Sequence, residues 1–160
     1  QLDSFQTLIR SIDRIARYDR IDTLEIAETT ELGEAHYFFL TRELKKITVW
    51  RFGETRKDIT TFYLDDEALV FARTEEHTYN RPTTWDSTAA AANGDDQVFD
   101  PKQSEVVITE TYFRNNAAFH HTASDDCGAP WSEEYLKLTG SELLQRFRSH
   151  LQLLNKRANE

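Results

Sequence analysis

A chain of 160 residues with 39% apolar content suffices for one domain, spanning 1–160, with a substantial core. A net charge of −9 argues against a nucleic-acid partner and against adsorption to anionic lipid, because phosphate surfaces attract basic proteins. No apolar run approaches bilayer-spanning length, and the single Cys127 excludes an intramolecular disulfide.

The chain contains no methionine and opens at Gln1, which fits removal of a signal peptide and points to an exported, periplasmic or cell-surface protein. Ser4 is placed to cap a helix over 4–18. Phe5, Leu8, Ile9, Ile12, Ile15 and Ala16 recur at helical spacing and form its buried stripe. Arg10, Arg14 and Arg17 lie on the other side and read as a solvated face, with Asp13 within pairing range. Leu24 and Ile26 then alternate with charged neighbours, which predicts a first strand over 22–28. Further strands follow near 34–40, 44–52, 57–64 and 68–79, punctuated by Gly33 and Gly53. The last of these carries Arg73, Glu75, Glu76 and His77 in its second half, so it is expected to bend or to outrun the core.

These strands contain a repeat. Tyr37-Phe38 is followed by Leu44, Phe62-Tyr63 by Leu69, and Tyr112-Phe113 by Phe119. In each copy two aromatics precede a turn, and a large apolar residue lies seven positions after the first of them. With Asp65-Asp66 as the loop of the second copy, Phe62 faces Leu69 and Thr60 faces Phe71. With Asn115-Asn116 as the loop of the third, Tyr112 faces Phe119. Leu40-Thr41 is poor turn chemistry, so a longer loop through Arg42-Glu43 is expected in the first.

The segment 80–104 reads as a mobile insertion. It holds Arg81-Pro82, the alanine tract 89–92 and Asn93-Gly94-Asp95-Asp96, with Trp85 and Phe99 available as anchors. Strands resume at 105–113 and 117–122. A loop at 125–131 leads to a turn near 132–135, a break at Gly140, and a final helix over 141–157. Its stripe is Leu143, Leu144, Phe147, Leu151 and Leu154.

The sum is an α+β fold: an antiparallel β-meander sheet of about seven strands, with the N-terminal and C-terminal helices packed on one face. The other face is either covered by the 80–104 segment or left as a concave binding surface.

Phe62-Tyr63-Leu64-Asp65-Asp66-Glu67-Ala68-Leu69-Val70-Phe71 resembles the YYFDNGKLVF hairpins of uncharacterised exported bacterial proteins. Tyr79-Asn80-Arg81-Pro82, Phe99-Asp100-Pro101-Lys102 and Tyr112-Phe113-Arg114-Asn115-Asn116 resemble further parts of the same family. The resemblance covers about residues 30–122 and implies export. It carries no established activity, and this chain lacks the family's turn glycine at Glu67 and Ala117.

Chemistry-bearing residues are sparse. His121, Asp125 and Cys127 are competent metal ligands, and Cys127 with His120 or His121 could pair a nucleophile with a base. Strand alternation sends the two histidines to opposite faces, however, and no CxxC or HExxH spacing supports a site. Glu75, Glu76 and His77, and the cluster 65–67, read as solvated carboxylates. No metal or other cofactor is expected. The composition fits a non-catalytic exported binding module for a protein, peptide or small molecule. Trp50, Tyr79 and Trp85 are its candidate contacts. The alternative is an enzyme, a hydrolase in the first instance, built around His120, His121 and Cys127.

Overall fold

The computed structural model describes residues 2–27 and 32–160. Helix α1 (Leu2–Asp13) leads into strands β1 (Arg20–Ile26), β2 (Gly33–Leu40), β3 (Glu43–Phe52), β4 (Arg56–Asp65) and β5 (Ala68–Thr78). A short helix α2 (Ser87–Ala92) and a 3-10 turn (Pro101–Gln103) precede β6 (Glu105–Arg114) and β7 (Ala117–Ala123), and α3 (Glu133–Ala158) closes the chain. The strands form one antiparallel sheet in sequence order, β1 to β7. The expected α+β meander of seven strands is therefore the architecture. β5 outruns the core as expected, its buried residues ending at Ala72, yet it stays paired with β4 and β6 as far as Thr78.

Three of the hairpins share one turn. Thr41-Arg42, Asp66-Glu67 and Asn115-Asn116 are two-residue loops in which every residue has φ between 48° and 68°. That geometry matches the twist of the flanking strands. Beside each turn the register shifts, at Phe38/Phe39, Tyr63/Leu64 and Tyr112/Phe113. The sequence places two of these turns differently. The second lies one residue later than expected, so Leu64 faces Leu69, and the bulge beside it then sets Tyr63 against Phe71. Phe62 and Leu69 do share a face, but Thr60 and Phe71 lie on opposite ones. The first is a tight turn rather than a longer loop; the Thr41 amide is held by the Asp19 carboxylate at 2.5 Å. In the third, Tyr112 pairs with His120, and Phe119 still packs on its ring.

The two helices take opposite faces, which corrects the expectation of a shared one. α3 packs on Leu24, Ala35, Tyr37, Ile47, Phe62, Leu64, Leu69, Ala72 and Phe113. α1 packs on Tyr63, Phe71 and Tyr112, the neighbours that alternate to the other side. The reason is size. α3 has 26 residues, about 39 Å of helix, and seven strands span about 29 Å. It crosses the whole sheet from Gly140, against Ala118 of β7, to Arg157, whose Nη1 donates to Thr23 O of β1 at 2.9 Å. Among the described residues, no helix is long and apolar enough to cross a membrane.

α3 starts earlier than the sequence suggests and runs through Gly140. Ser132 caps it, its hydroxyl accepting from the Tyr135 amide at 3.1 Å. Gly140 is a contact residue rather than a break: a Cβ there would stand 2.6 Å from that of Ala118.

Candidate functional site

The two faces differ sharply in burial. On the face beneath α3, which we term the covered face, Leu24, Ala35, Tyr37, Ile47, Val49, Thr60, Phe62, Thr111, Phe113 and His121 are all buried. On the open face only Thr48 and the three aromatics beneath α1 are. The register orders that face into rows running across the strands. The first row, Phe38, Lys46, Tyr63, Phe71, Tyr112 and His120, lies at the α1 end. The next is His36, Thr48, Thr61, Arg73, Glu110 and Thr122. The third is Glu34, Trp50, Ile59, Glu75 and Ile108, and Phe52, Lys57, His77 and Val106 complete the face.

α1 covers the first row and stops. Tyr63 Oη donates to the Asp13 carboxylate at 2.9 Å, and Lys46 Nζ lies 3.6 Å from the same carboxylate. Burial, and then this hydrogen bond, push the Tyr63 pKa well above the phenolic range. Beyond that seam the second and third rows are half-exposed. Trp50 lies between Glu34 and Ile59, with the His36 ring 4.5 Å away. His36 Nε2 is bonded to Glu34 Oε1. Arg73 Nη2 donates to Glu75 Oε1 at 3.2 Å, and His77 Nε2 stands 3.6 Å from Glu75 Oε2. Ile59, Thr61, Tyr63, Arg73 and Glu75 line a depression of about 220 Å³.

A larger cavity, about 490 Å³, lies between β1 and the end of α3. Its charged side chains are already engaged. Arg20 pairs with Asp22 at 3.2 Å and stacks over Phe39, and Arg157 caps the Thr23 carbonyl. It reads as a protected sheet edge.

The three aromatics expected to bind do not meet. Trp50 is on the open face. Tyr79 and Trp85 belong to the segment after β5, where Tyr79 packs edge-on against Phe99 and Trp85 Nε1 donates to Asp95 Oδ2 at 3.1 Å. That segment, expected as a mobile insertion and as one of two fates for the second sheet face, carries the short helix α2 and a hydrogen-bond network of its own. Asp86 caps α2, and the Asp95 carboxylate also accepts from Arg81 Nε at 2.6 Å and from the Gln97 amide at 3.1 Å. These bonds hold the Asp95 carboxyl well below the usual carboxylate range, Arg81 contributing most. The hydrogen bonds that tie this segment to the β3–β4 turn run to Glu54 and Thr55, so it sits at the end of the sheet.

The metal and nucleophile candidates are dispersed. His120 packs on Tyr112 on the open face, whereas His121 is buried on the covered face. There its Nδ1 and Thr111 Oγ1 are 2.8 Å apart, under Trp131 and Tyr135. Burial, then the neighbouring His120, lower its pKa, while Asp126 opposes them. Asp125 and Cys127 are exposed in the following loop. Among the described residues, no group of three His, Cys, Asp or Glu side chains could hold a metal ion. Glu76 lies on the covered side, paired with Arg56 at 3.0 Å, away from Glu75.

Sequence reasoning singled out Trp50 but not Arg73, Ile59, Thr61, His36 or Glu34. Alternation along each strand puts Ile59 with Thr61 and Glu34 with His36, but Arg73 reaches the same face only through the bulge at Tyr63/Leu64, which residue type does not signal. Comparison with known protein families, with curated proteins and with solved structures found no match to this chain.

Proposed function

We propose that this chain is a non-catalytic binding module whose recognition surface is the open sheet face around Trp50. One observation carries the reading: α1 shields a single row of that face, leaving Trp50, Ile59, Ile108, Phe52 and Val106 partly in water among charged neighbours. A sheet face with no binding role is expected to present mainly polar side chains to solvent. Partly exposed aromatics with a polar surround are typical of contact surfaces. The rigid sheet beneath them keeps the ordering cost of binding low. An exported setting, which the resemblance to exported hairpin proteins implies, belongs to the same proposal; fractionation of cells making the native protein tests it.

The experiment is a screen of immobilised peptides, glycans and lipids, followed by hydrogen-exchange mapping of each binder. The reading expects protection on β3, β4 and β5 and loss of binding in Trp50→Ala, with Trp85→Phe unaffected. Protection confined to the loop before α3, or to the 80–104 segment, would move the site elsewhere. The enzymatic alternative lacks a comparable observation, since His120, His121 and Cys127 are not brought to one place.

A further inference from the structure

We infer that the ligand of the open face is a neutral saccharide, with Trp50 as the stacking platform; this rests on the binding-surface reading above. The chemistry of the surround narrows the class. Trp50 is flanked in its own row by Glu34 and Ile59, and the adjoining depression is lined by Thr61, Tyr63, Arg73 and Glu75. Its volume of about 220 Å³ is that of about seven waters in the liquid, a size that suits one sugar ring.

The groups there carry unused hydrogen-bonding capacity. Arg73 uses Nη2 on Glu75, and a guanidinium carries further N–H donors; the Thr61 hydroxyl, 3.3 Å from that of Thr48, can both donate and accept. Glu34 and Glu75 supply acceptors in the row of Trp50, Glu34 bonded to His36, and Glu75 bonded to Arg73 with His77 3.6 Å away. A saccharide meets both needs, because each hydroxyl donates and accepts, while the apolar C–H face of the ring lies on the indole.

Competing classes fit less well. On this face Glu25, Glu34, Glu75 and Glu110 outnumber Lys46, Lys57 and Arg73, so an anionic ligand would meet net negative charge, in a chain of net charge −9. A wholly apolar ligand would bury Arg73 and Glu75 without replacing the hydrogen bonds that water gives them.

The test is calorimetric titration of the intact chain with soluble oligosaccharides: cello-, xylo-, manno-, laminari- and chito-hexaoses. At least one is expected to bind in the micromolar to millimolar range. Trp50→Ala and Arg73→Ala should each weaken that binding by about tenfold or more, and Trp85→Phe should leave it unchanged. Trp50→Phe keeps a ring and guards against a folding defect; it should retain part of the affinity with an unaltered circular dichroism spectrum. Absence of binding across the panel at millimolar ligand overturns the assignment, as does full affinity in a folded Trp50→Ala. If only a peptide or lipid binds and Trp50→Ala abolishes it, the saccharide assignment fails while the open-face reading stands.

Discussion

Gly140→Ala separates two readings of the position at which α3 crosses β7. In an ordinary helix interior this change stabilises by about 1 kcal/mol. Here the new methyl would lie 2.6 Å from Ala118 Cβ, where carbon atoms normally rest about 3.5–4.0 Å apart. The helix would have to lift from β7 by about an ångström, yet Leu143, Leu144 and Phe147 hold it in the core just beyond. Overpacking of this kind costs about 1–3 kcal/mol, so the net expectation is a loss of about 1 kcal/mol and about 2–4 °C in Tm. Ala118→Gly removes the obstructing methyl and leaves the 3.3 Å approach to the Ala118 nitrogen, which a small shift relieves. In that background Gly140→Ala should therefore stabilise. Urea and thermal midpoints of the four proteins give the coupling directly. If Gly140→Ala stabilises equally in both backgrounds, the close crossing is not a feature of this molecule.

Glu67 and Arg42 hold the left-handed conformation, at φ 64° and 68°, so Glu67→Gly or Arg42→Gly should gain about 0.5–1 kcal/mol in denaturant midpoint; a loss in both would argue against these tight turns. His150 is buried, and burial followed by Arg51 and Arg146 lowers its pKa to about 4. The unfolded chain therefore takes up this proton at higher pH than the folded one. Stability from this group should fall as pH drops from about 6.5 to 4, by on the order of 3 kcal/mol, and His150→Gln should flatten the profile in that window. The depressed Asp95 carboxyl acts in the acid range: its contribution is present above pH about 4 and is lost as the pH falls towards the folded-state value. Asp95→Ala should accelerate amide exchange at Gln97 and through α2 without changing exchange in β2 or β3; uniform acceleration through the sheet would mean that the segment is integral to the core.

Much of this architecture was legible because period-two alternation and helical stripes are strong local signals. The seven strands, the aromatic hairpins and the α3 stripe from Leu143 to Leu154 all follow from them. What local pattern does not encode is which side of the sheet a helix chooses. The stripes of α1 and α3 are both apolar, and only the parity of Tyr63 against Phe62 separates their destinations. Phe71 joins Tyr63 beneath α1 only through the bulge at Tyr63/Leu64, which no residue type announces. The tight turn at Thr41-Arg42 breaks residue preference outright and is supported by Asp19 from a different element. The helix within 80–104 was hidden for a related reason: its stability rests on an Asp86 cap and on Arg81 and Trp85 converging on Asp95, contacts between residues 3 to 14 apart with no periodic signature. Of the binding surface, Trp50 was visible by residue type; its neighbours became visible only with the register.

The claim that the open face around Trp50 is the recognition surface is tested most directly by indole N–H resonances during ligand titration. The chain has three tryptophans, which occupy three separate environments: Trp50 on the open face, Trp85 bound to Asp95, and Trp131 over His121. In a titration with whichever screened ligand binds, the Trp50 indole signal should move to saturation while those of Trp85 and Trp131 stay fixed. Movement of the Trp131 or Trp85 signal with a stationary Trp50 would contradict the account.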